Sequence, residues 1–372
     1  MKNAKSYLSR PLVIILLCLL GSPAWADILA LQRQSPEVFR YNENTRALAG
    51  ISFSPDNPES FDGVAFGPDG NVYVVDNVLG DGRVLRFNGQ TGAFIDRFVD
   101  YQPSRSLYSP RGVAFGPDGQ LYVGSTTTNY QGCQVMRFNG QTGAFVDTFV
   151  LAGSGGLGDI SDMTFGPDGK LYILCSAQGI LRYSGLDGHF ISFFGSFPTN
   201  VYPCNLAFGP SGDLFVSTST NGVLRFNGTS GGFQGAFITP GSGGLTNAAG
   251  LAFANDGSLY VGSPASRSVL HYDGTTGAFI DGFQLPGGSS SSVGPTFLAI
   301  TPSLPRLKIQ KSGSGMVLSW RSLGTNFVLQ SSDSFSATKT WSAVTNVPVL
   351  VGGEHAVTIH DPSSACLYRL KR

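Results

Sequence analysis

Few side chains in this sequence are placed to do chemistry. Asp62, Asp162 and Asn205 offer carboxylate and amide oxygens, the donors that a hard cation such as Ca²⁺ or Mg²⁺ takes. Each stands beside a short apolar segment of one recurring kind, DGVAF, SDMTF and CNLAF. Asp76, Arg111, Asp159 and Asn247 fall close to the same segments. Asp162 and Asn205 are the metal candidates, whereas Arg111 would repel a cation. The four glutamates, Glu37, Glu43, Glu59 and Glu354, all lie away from these segments. Of the four histidines, His189 and His271 sit at repeat positions, and His355 and His360 are five apart, on opposite sides of a strand. No His–carboxylate pair can be assembled for general acid–base work. No nucleophile elbow, phosphate loop or zinc spacing occurs either. The expected chemistry is therefore ligand binding by Asp62, Asp76, Arg111, Asp162, Asn205 and Asn247, with no catalytic set.

The elements that position these residues come from a repeat. FGPDG begins at Phe66, Phe115 and Phe165, and returns as FGPSG at Phe208 and FANDG at Phe253. The spacings are 49, 50, 43 and 45 residues. A second motif follows each: VLRFNGQTGAF from Val84, VMRFNGQTGAF from Val135, ILRYSGLDGHF from Ile180, VLRFNGTSGGF from Val223 and VLHYDGTTGAF from Val269. Strand-like units with periods of 40 to 50 residues indicate propeller blades. In one unit GVAF is the first strand, NVYVVD the second, RVLRF the third and AFIDRFV the fourth. Gly-Pro-Asp-Gly turns the first strand into the second, with Pro fixing φ and Gly accepting a positive one. Asp69, Asp118 and Asp168 thus read as turn residues. The strands are apolar on both faces, as sheets sandwiched between sheets must be. The aromatic columns Tyr73, Tyr122, Tyr172, Phe215, Tyr260 and Phe87, Phe138, Tyr183, Phe226, Tyr272 read as packing between blades. The cationic column Arg40, Arg86, Arg137, Arg182, Arg225, with His271 in the sixth place, reads as structural, pairing with an acid or carbonyl on a neighbour.

The expected fold is all-β: a six-bladed β-propeller over residues 27–302, then a small β-sandwich over 303–372. The sixth blade takes TFLAITPS from the end of the repeat region and three strands from DILALQ and EVFRYNENTRAL at its start. Residues 27–302 amount to 5.9 repeats of the mean spacing. The unit GVAFGPDGNVYVVD…RVLRFNGQTGAF resembles NHL-type repeats of secreted bacterial propellers. It is also similar to streptogramin lyase-like proteins and, more distantly, to the SMP-30/gluconolactonase group. The resemblance implies the propeller. For activity it implies a metal-dependent lyase or lactonase, whose metal is held by a carboxylate and amides, typically with a glutamate. The lyases also use a histidine base. Neither the glutamate nor the histidine is found here at a first strand.

Residues 306–372 alternate apolar and polar in six short runs, with Trp320 and Trp341 as expected core anchors. The pattern VLSW…FVLQSS…YRLKR is similar to a fibronectin-III-like module of secreted bacterial proteins. At the other end, Lys2, Lys5 and Arg10, the apolar PLVIILLCLL and Ala24-Trp25-Ala26 have the three-part layout of a signal peptide over residues 1–26. Its removal leaves 21 basic against 24 acidic side chains, which disfavours nucleic acid, and no transmembrane segment. The expected address is the cell exterior, its surface or the periplasm. Four cysteines remain, Cys133, Cys175, Cys204 and Cys366; Cys175 and Cys204 are the preferred pair, against four idle thiols. The function expected first is a non-catalytic binding or scaffold propeller. Its varied mouth loops, such as DYQPSRSLYSPRG and LAGSGGLGDISD, would meet a glycan, peptide or protein. An enzyme of the lyase or lactonase kind and a purely structural surface protein are the alternatives. No cofactor is expected for the first reading, and Ca²⁺ or Mg²⁺ for the enzyme.

Overall fold

A computed structural model describes residues 27–32, 37–53, 60–78, 82–100, 107–127, 132–220, 222–286, 294–300, 307–312, 315–321, 328–332, 340–351, 354–359 and 367–371. The expected signal peptide, Glu59, His360 and Cys366 lie outside the described residues. The chain divides into two compact units, Trp25–Pro302 and one containing Ser303–Arg372. Among the described residues no helix is long and apolar enough to cross a membrane.

The first unit is built of four-stranded antiparallel sheets. Sheet I runs Phe61–Phe66, Val72–Asp76, Arg83–Phe87 and Phe94–Val99. Sheet II runs Tyr108–Phe115, Leu121–Thr126, Cys133–Phe138 and Phe145–Val150. Sheet III runs Asp162–Phe165, Leu171–Cys175, Gly179–Tyr183 and Phe190–Gly195. Sheet IV runs Pro203–Phe208, Leu214–Thr218, Gly222–Phe226 and Phe233–Ile238. Sheet V runs Leu251–Phe253, Leu259–Ser263, Ser268–Tyr272 and Phe279–Gln284. The closing sheet joins Pro295–Ile300 to Asp27–Gln32, Glu37–Asn42 and Leu48–Phe53. The first strands of sheets I to V and Pro295–Ile300 neighbour one another in a closed cycle. This all-β arrangement is that of a β-propeller.

Alternation along each strand explains why both faces are apolar. In the strand Asp27–Gln32, Ile28 and Ala30 pack against sheet V, while Leu29 and Leu31 pack against sheet I. The same division recurs at every junction between successive sheets, from sheets I and II round to the closing sheet. Burying one side chain of Leu or Val size contributes roughly 1.5–3 kcal/mol, so these junctions hold the unit together. The aromatic columns lie in them: Tyr73 meets Phe98 and Phe115 edge-on, both at 4.8 Å.

The turn aspartates have a second task. Tyr73, Tyr122 and Tyr172 donate their hydroxyls to Asp69, Asp118 and Asp168 at 3.0, 2.9 and 3.1 Å. In sheet IV both partners change together, to Ser211 and Phe215. The glycine closing the second turn is needed for two reasons. Gly143 has φ of +72°, and a Cβ there would strike the Phe98 carbonyl of sheet I.

The expected Cys175–Cys204 pair does not form. Cys133 and Cys175 are free thiols. Cys175 points from sheet III toward sheet II, into the cluster that holds Cys133. Cys204 is on sheet IV, beyond the opposite face of sheet III. Proximity in the repeat thus misled, because the sheet itself separates the two sulfurs.

The second unit has two sheets among the described residues. One orders Lys308–Ser312, Gly315–Arg321, Glu354–Ile359 and Val349–Val351; the other orders Ser342–Ala343, Val328–Ser332 and Leu367–Lys371. Seven strands replace the expected six, since the run around Val344 divides in two. Trp320 is buried with Leu318, Leu329, Val357 and Tyr368, which come from both sheets. Trp341 is only half-buried; the Arg369 guanidinium lies 4.2 Å over its ring. Its anchor role is thus a surface cation–π stack.

Candidate functional site

The first strands line a cavity of about 250 Å³ at the centre of the cycle. Val64, Val113, Asp162, Asn205, Leu251 and Phe297 each represent one of its six walls. Asp162 opens sheet III and Asn205 lies on the first strand of sheet IV, so neighbouring walls bring them together. The Asn205 Nδ2 donates to Asp162 Oδ2 at 3.3 Å, and the Leu206 N–H donates to the same oxygen at 3.2 Å. The Met163 N–H donates to Oδ1 at 2.9 Å. Asp162 is half-buried and lines the cavity, where the surrounding first strands keep its carboxyl from bulk water. That burial pushes its pKa up to about 7, against the pull of the three N–H donors. The Asn205 Oδ1 is buried and has no hydrogen-bond partner among the described residues.

The other expected residues are placed differently. Asp62 is buried and accepts from Asn77 Nδ2 at 2.6 Å. Asp76 is wholly buried and paired with Arg83, Nε to Oδ2 2.8 Å. It closes the sheet I strands at Asp76↔Arg83 and does not line the cavity. Arg111 is exposed on the first strand of sheet II. Asn247 is half-buried in the segment before Leu251–Phe253. Asp159 accepts from the backbone N–H of Ser176 at 2.9 Å and from its hydroxyl. The central pair, Asp162 with Asn205, is thus the part of the set that meets across two sheets. Among the described residues no group of three His, Cys, Asp or Glu side chains is placed to hold a metal.

One residue that the sequence did not single out supports this pair. Ser217 is wholly buried, accepts from the Asn205 N–H at 3.1 Å and donates to the Ala249 carbonyl. Its signal was a hydroxyl inside the apolar run LFVSTS. Arg83 and Asn77 satisfy Asp76 and Asp62, and their signal was position alone, just beyond the second strand.

Two of the mouth loops share one turn. Residues 151–161 and 239–250 both carry Ser-Gly-Gly-Leu, folded as the turns Ser154–Gly156 and Ser242–Gly244. Tyr183 and Tyr272 donate to the carbonyls of Ser154 and Ser242 at 2.7 and 2.8 Å. Of the other four sheets, three have Phe87, Phe138 and Phe226 there, which need no such carbonyl, and the closing sheet has Tyr41, whose buried hydroxyl finds no partner among the described residues. Between sheets III and IV the loop instead exposes Tyr202, at 62%.

No protein-family model and no curated protein matches the sequence. Solved structures do. A protein of unknown function from Bacteroides caccae is similar over 75% of this chain and 99% of its own, with 13% identity and a TM-score of 0.54. A chain of a nidogen–laminin complex covers the same shares with 16% identity and a TM-score of 0.53. Virginiamycin B lyase from Staphylococcus aureus is 15% identical over 81% of this chain and 94% of its own, with a TM-score of 0.48. At the identities of the first two, the likeness bears on the fold and leaves the activity to the site.

Proposed function

We propose that the chain is an exported six-bladed propeller of the NHL type, followed by a fibronectin-III-like sandwich, and that it binds a glycan, peptide or protein without catalysis. The closed cycle of first strands supports the count of six. The mixed origin of the Trp320 cluster supports the sandwich. The domains are a signal over 1–26, the propeller over 27–302 and the sandwich over 303–372. The observation that carries the binding role is how the polar groups are used. Asp162, Asp62 and Asp76 are tied to protein donors within the scaffold. Arg111 and Tyr202 are left exposed on the loop-bearing mouth. An arginine and a tyrosine are the side chains that most often anchor a partner. The test is capture of partners from the protein's own envelope, and binding to glycan arrays, by the mature chain and by Arg111→Ala/Tyr202→Ala. Binding that falls at least about tenfold in the double variant is expected, as each anchor is worth about 1–2 kcal/mol. Undiminished binding would move the site elsewhere.

One observation favours the metal-dependent reading: the orphaned Asn205 Oδ1 beside a carboxyl whose ionisation burial disfavours. A divalent cation would satisfy both. Ca²⁺, however, takes about 6–8 oxygens, and this pair supplies side-chain oxygens from two residues. The donor set does not fit a catalytic cation, and no reaction step is derived through one. Metal content of the purified protein and its melting in Ca²⁺, Mg²⁺ and EDTA decide between the readings. Indifference to all three is the expected result.

A further inference from the structure

In sheets I and II the third-strand arginine stands opposite a fourth-strand aspartate, Arg86↔Asp96 and Arg137↔Asp147. Nε donates to Oδ1 at 3.0 Å in both, and Nη2 donates to Oδ2. Sheet V keeps the carboxylate, with Asp281 opposite His271 and 3.0 Å from its Nδ1. These three carboxylates are 43%, 44% and 48% exposed, so the place they fill opens to solvent. In sheet IV the acid has moved. Arg225 faces Gly235. Its partner is Asp213, just before the second strand, whose Oδ2 accepts from Nε at 2.9 Å and from Nη2 at 2.5 Å.

The move empties the place on the fourth strand. No atom lies within 4 Å of the position that a Gly235 Cβ would take. A cavity of about 470 Å³ opens there, lined by Arg225, Gln234, Gly235, Ala236 and Phe237. Small-ligand sites fall in the range of roughly 300–1,000 Å³. The cavity is reached from outside, because Gln234 is exposed and the Arg225 side chain is 33% exposed. No carboxylate lines it. A guanidinium carries five N–H groups. Asp213 holds Arg225 from one side, through Nε and Nη2. Nη1 has no hydrogen-bond partner among the described residues, and solvent reaches it, whereas the unpartnered Arg182 Nε of sheet III is buried. The end-on fork of Nη1 and Nη2 is thus left open. Phe215 and Phe237 lie under the guanidinium at 5.7 and 5.9 Å and hold its plane in place.

We propose that this cavity on the outer part of sheet IV binds a carboxylate supplied from outside the chain, with Arg225 as its anchor and Gln234 at its rim. A carboxylate fills the corresponding place in sheets I, II and V, and a guanidinium fork matches two carboxylate oxygens. Asp213 offsets part of the positive charge, so the affinity for a single carboxylate is modest. The site is separate from the channel and does not depend on the reading given to the mouth. The carboxylate can come from a free small acid or from an acidic side chain of a peptide.

The full exported chain, isotope-labelled, is titrated at pH 7 with sodium acetate and with sodium chloride of equal ionic strength, and its backbone amide shifts are followed. Acetate is expected to move the amides of residues 234–237, with half-saturation at or below about 0.1 M. Acetamide, which has the same shape without the charge, is expected to leave them in place. Gln234 is exposed, so its replacement does not disturb the fold. Gln234→Lys is expected to lower the half-saturating concentration about threefold, and Gln234→Glu to raise it as much. A second arm titrates the peptide acetyl-Gly-Gly-Asp-Gly-Gly-amide against its Asn counterpart. An Asp peptide effective at a concentration tenfold or more below acetate assigns the site to acidic side chains, and any smaller advantage assigns it to small acids. Amides 234–237 that acetate leaves unmoved, or that acetamide moves equally, would overturn the site. So would the same half-saturation in the wild type and both Gln234 variants.

Discussion

Asp162 accepts from three N–H groups, which favour its charged form, yet burial outweighs them and its pKa rises to about 7. An acid with a raised folded-state pKa holds its proton more tightly when folded. Stability therefore falls as pH climbs from roughly 4, the unfolded carboxylate value, to about 7. Above that the loss is complete. Asp162→Asn removes this dependence. Its Tm relative to wild type is expected to rise between pH 4 and pH 7 and then to level off. Melting curves at pH 4, 6 and 8 measure this, and a difference that stays constant with pH would refute the burial effect. Both members of the central pair were legible, because Asp162 and Asn205 are polar residues beside or inside first strands that are otherwise apolar. Which of their oxygens is used was not, since that depends on the rotation of Asn205 against the Asp162 carboxylate.

At the scale of the element, the turn glycines separate two physical demands. Gly119 has φ of +75° with nothing within 4 Å of the place a Cβ would take, whereas Gly143 has φ of +72° and the Phe98 carbonyl in the way. Gly119→Ala is expected to cost the backbone strain alone, roughly 1–2 kcal/mol. Gly143→Ala adds overpacking between sheets I and II and should cost about 2–5 kcal/mol. Chemical denaturation of the two variants compares them, and equal losses would show that the close approach is relieved at no cost. The strands were legible almost to the residue: RVLRF is Arg83–Phe87 and DILALQ is Asp27–Gln32. Period-two alternation and turn chemistry act within a few neighbouring residues, so sequence carries them. The partners of the arginine column were not legible. Asp96 and Asp147 come from the fourth strand of the sheet, Asp213 from the turn before the second strand and Asp27 from the second strand itself, and register is set by tertiary packing. Cys175 and Cys204 failed for a related reason, because the face of a strand on which a side chain falls decides what it can meet.

At the scale of the molecule, the strand Asp27–Gln32 is the test of closure. Among the described residues it is the first strand of its unit, and a strand near the end of a unit ordinarily frays. Here it is the second strand of its sheet, flanked by Pro295–Ile300 and Glu37–Asn42, and packed on one face by sheet V and on the other by sheet I. Its hydrogen bonds open only if strands from both ends of the unit separate. Amide exchange of Ile28 to Leu31 is thus expected to be as slow as that of Val72 to Val75, the equivalent strand of sheet I. Replacing Ala30, which is wholly buried against sheet V, by Asp should bring protection in the closing sheet and in sheet V down together. Burying an unpaired carboxylate there costs several kcal/mol, and the two sheets share that junction. If exchange at residues 28–31 were fast in the wild type while sheets I to V stayed protected, the ring would be held by five sheets, and the sixth would be a loose seam.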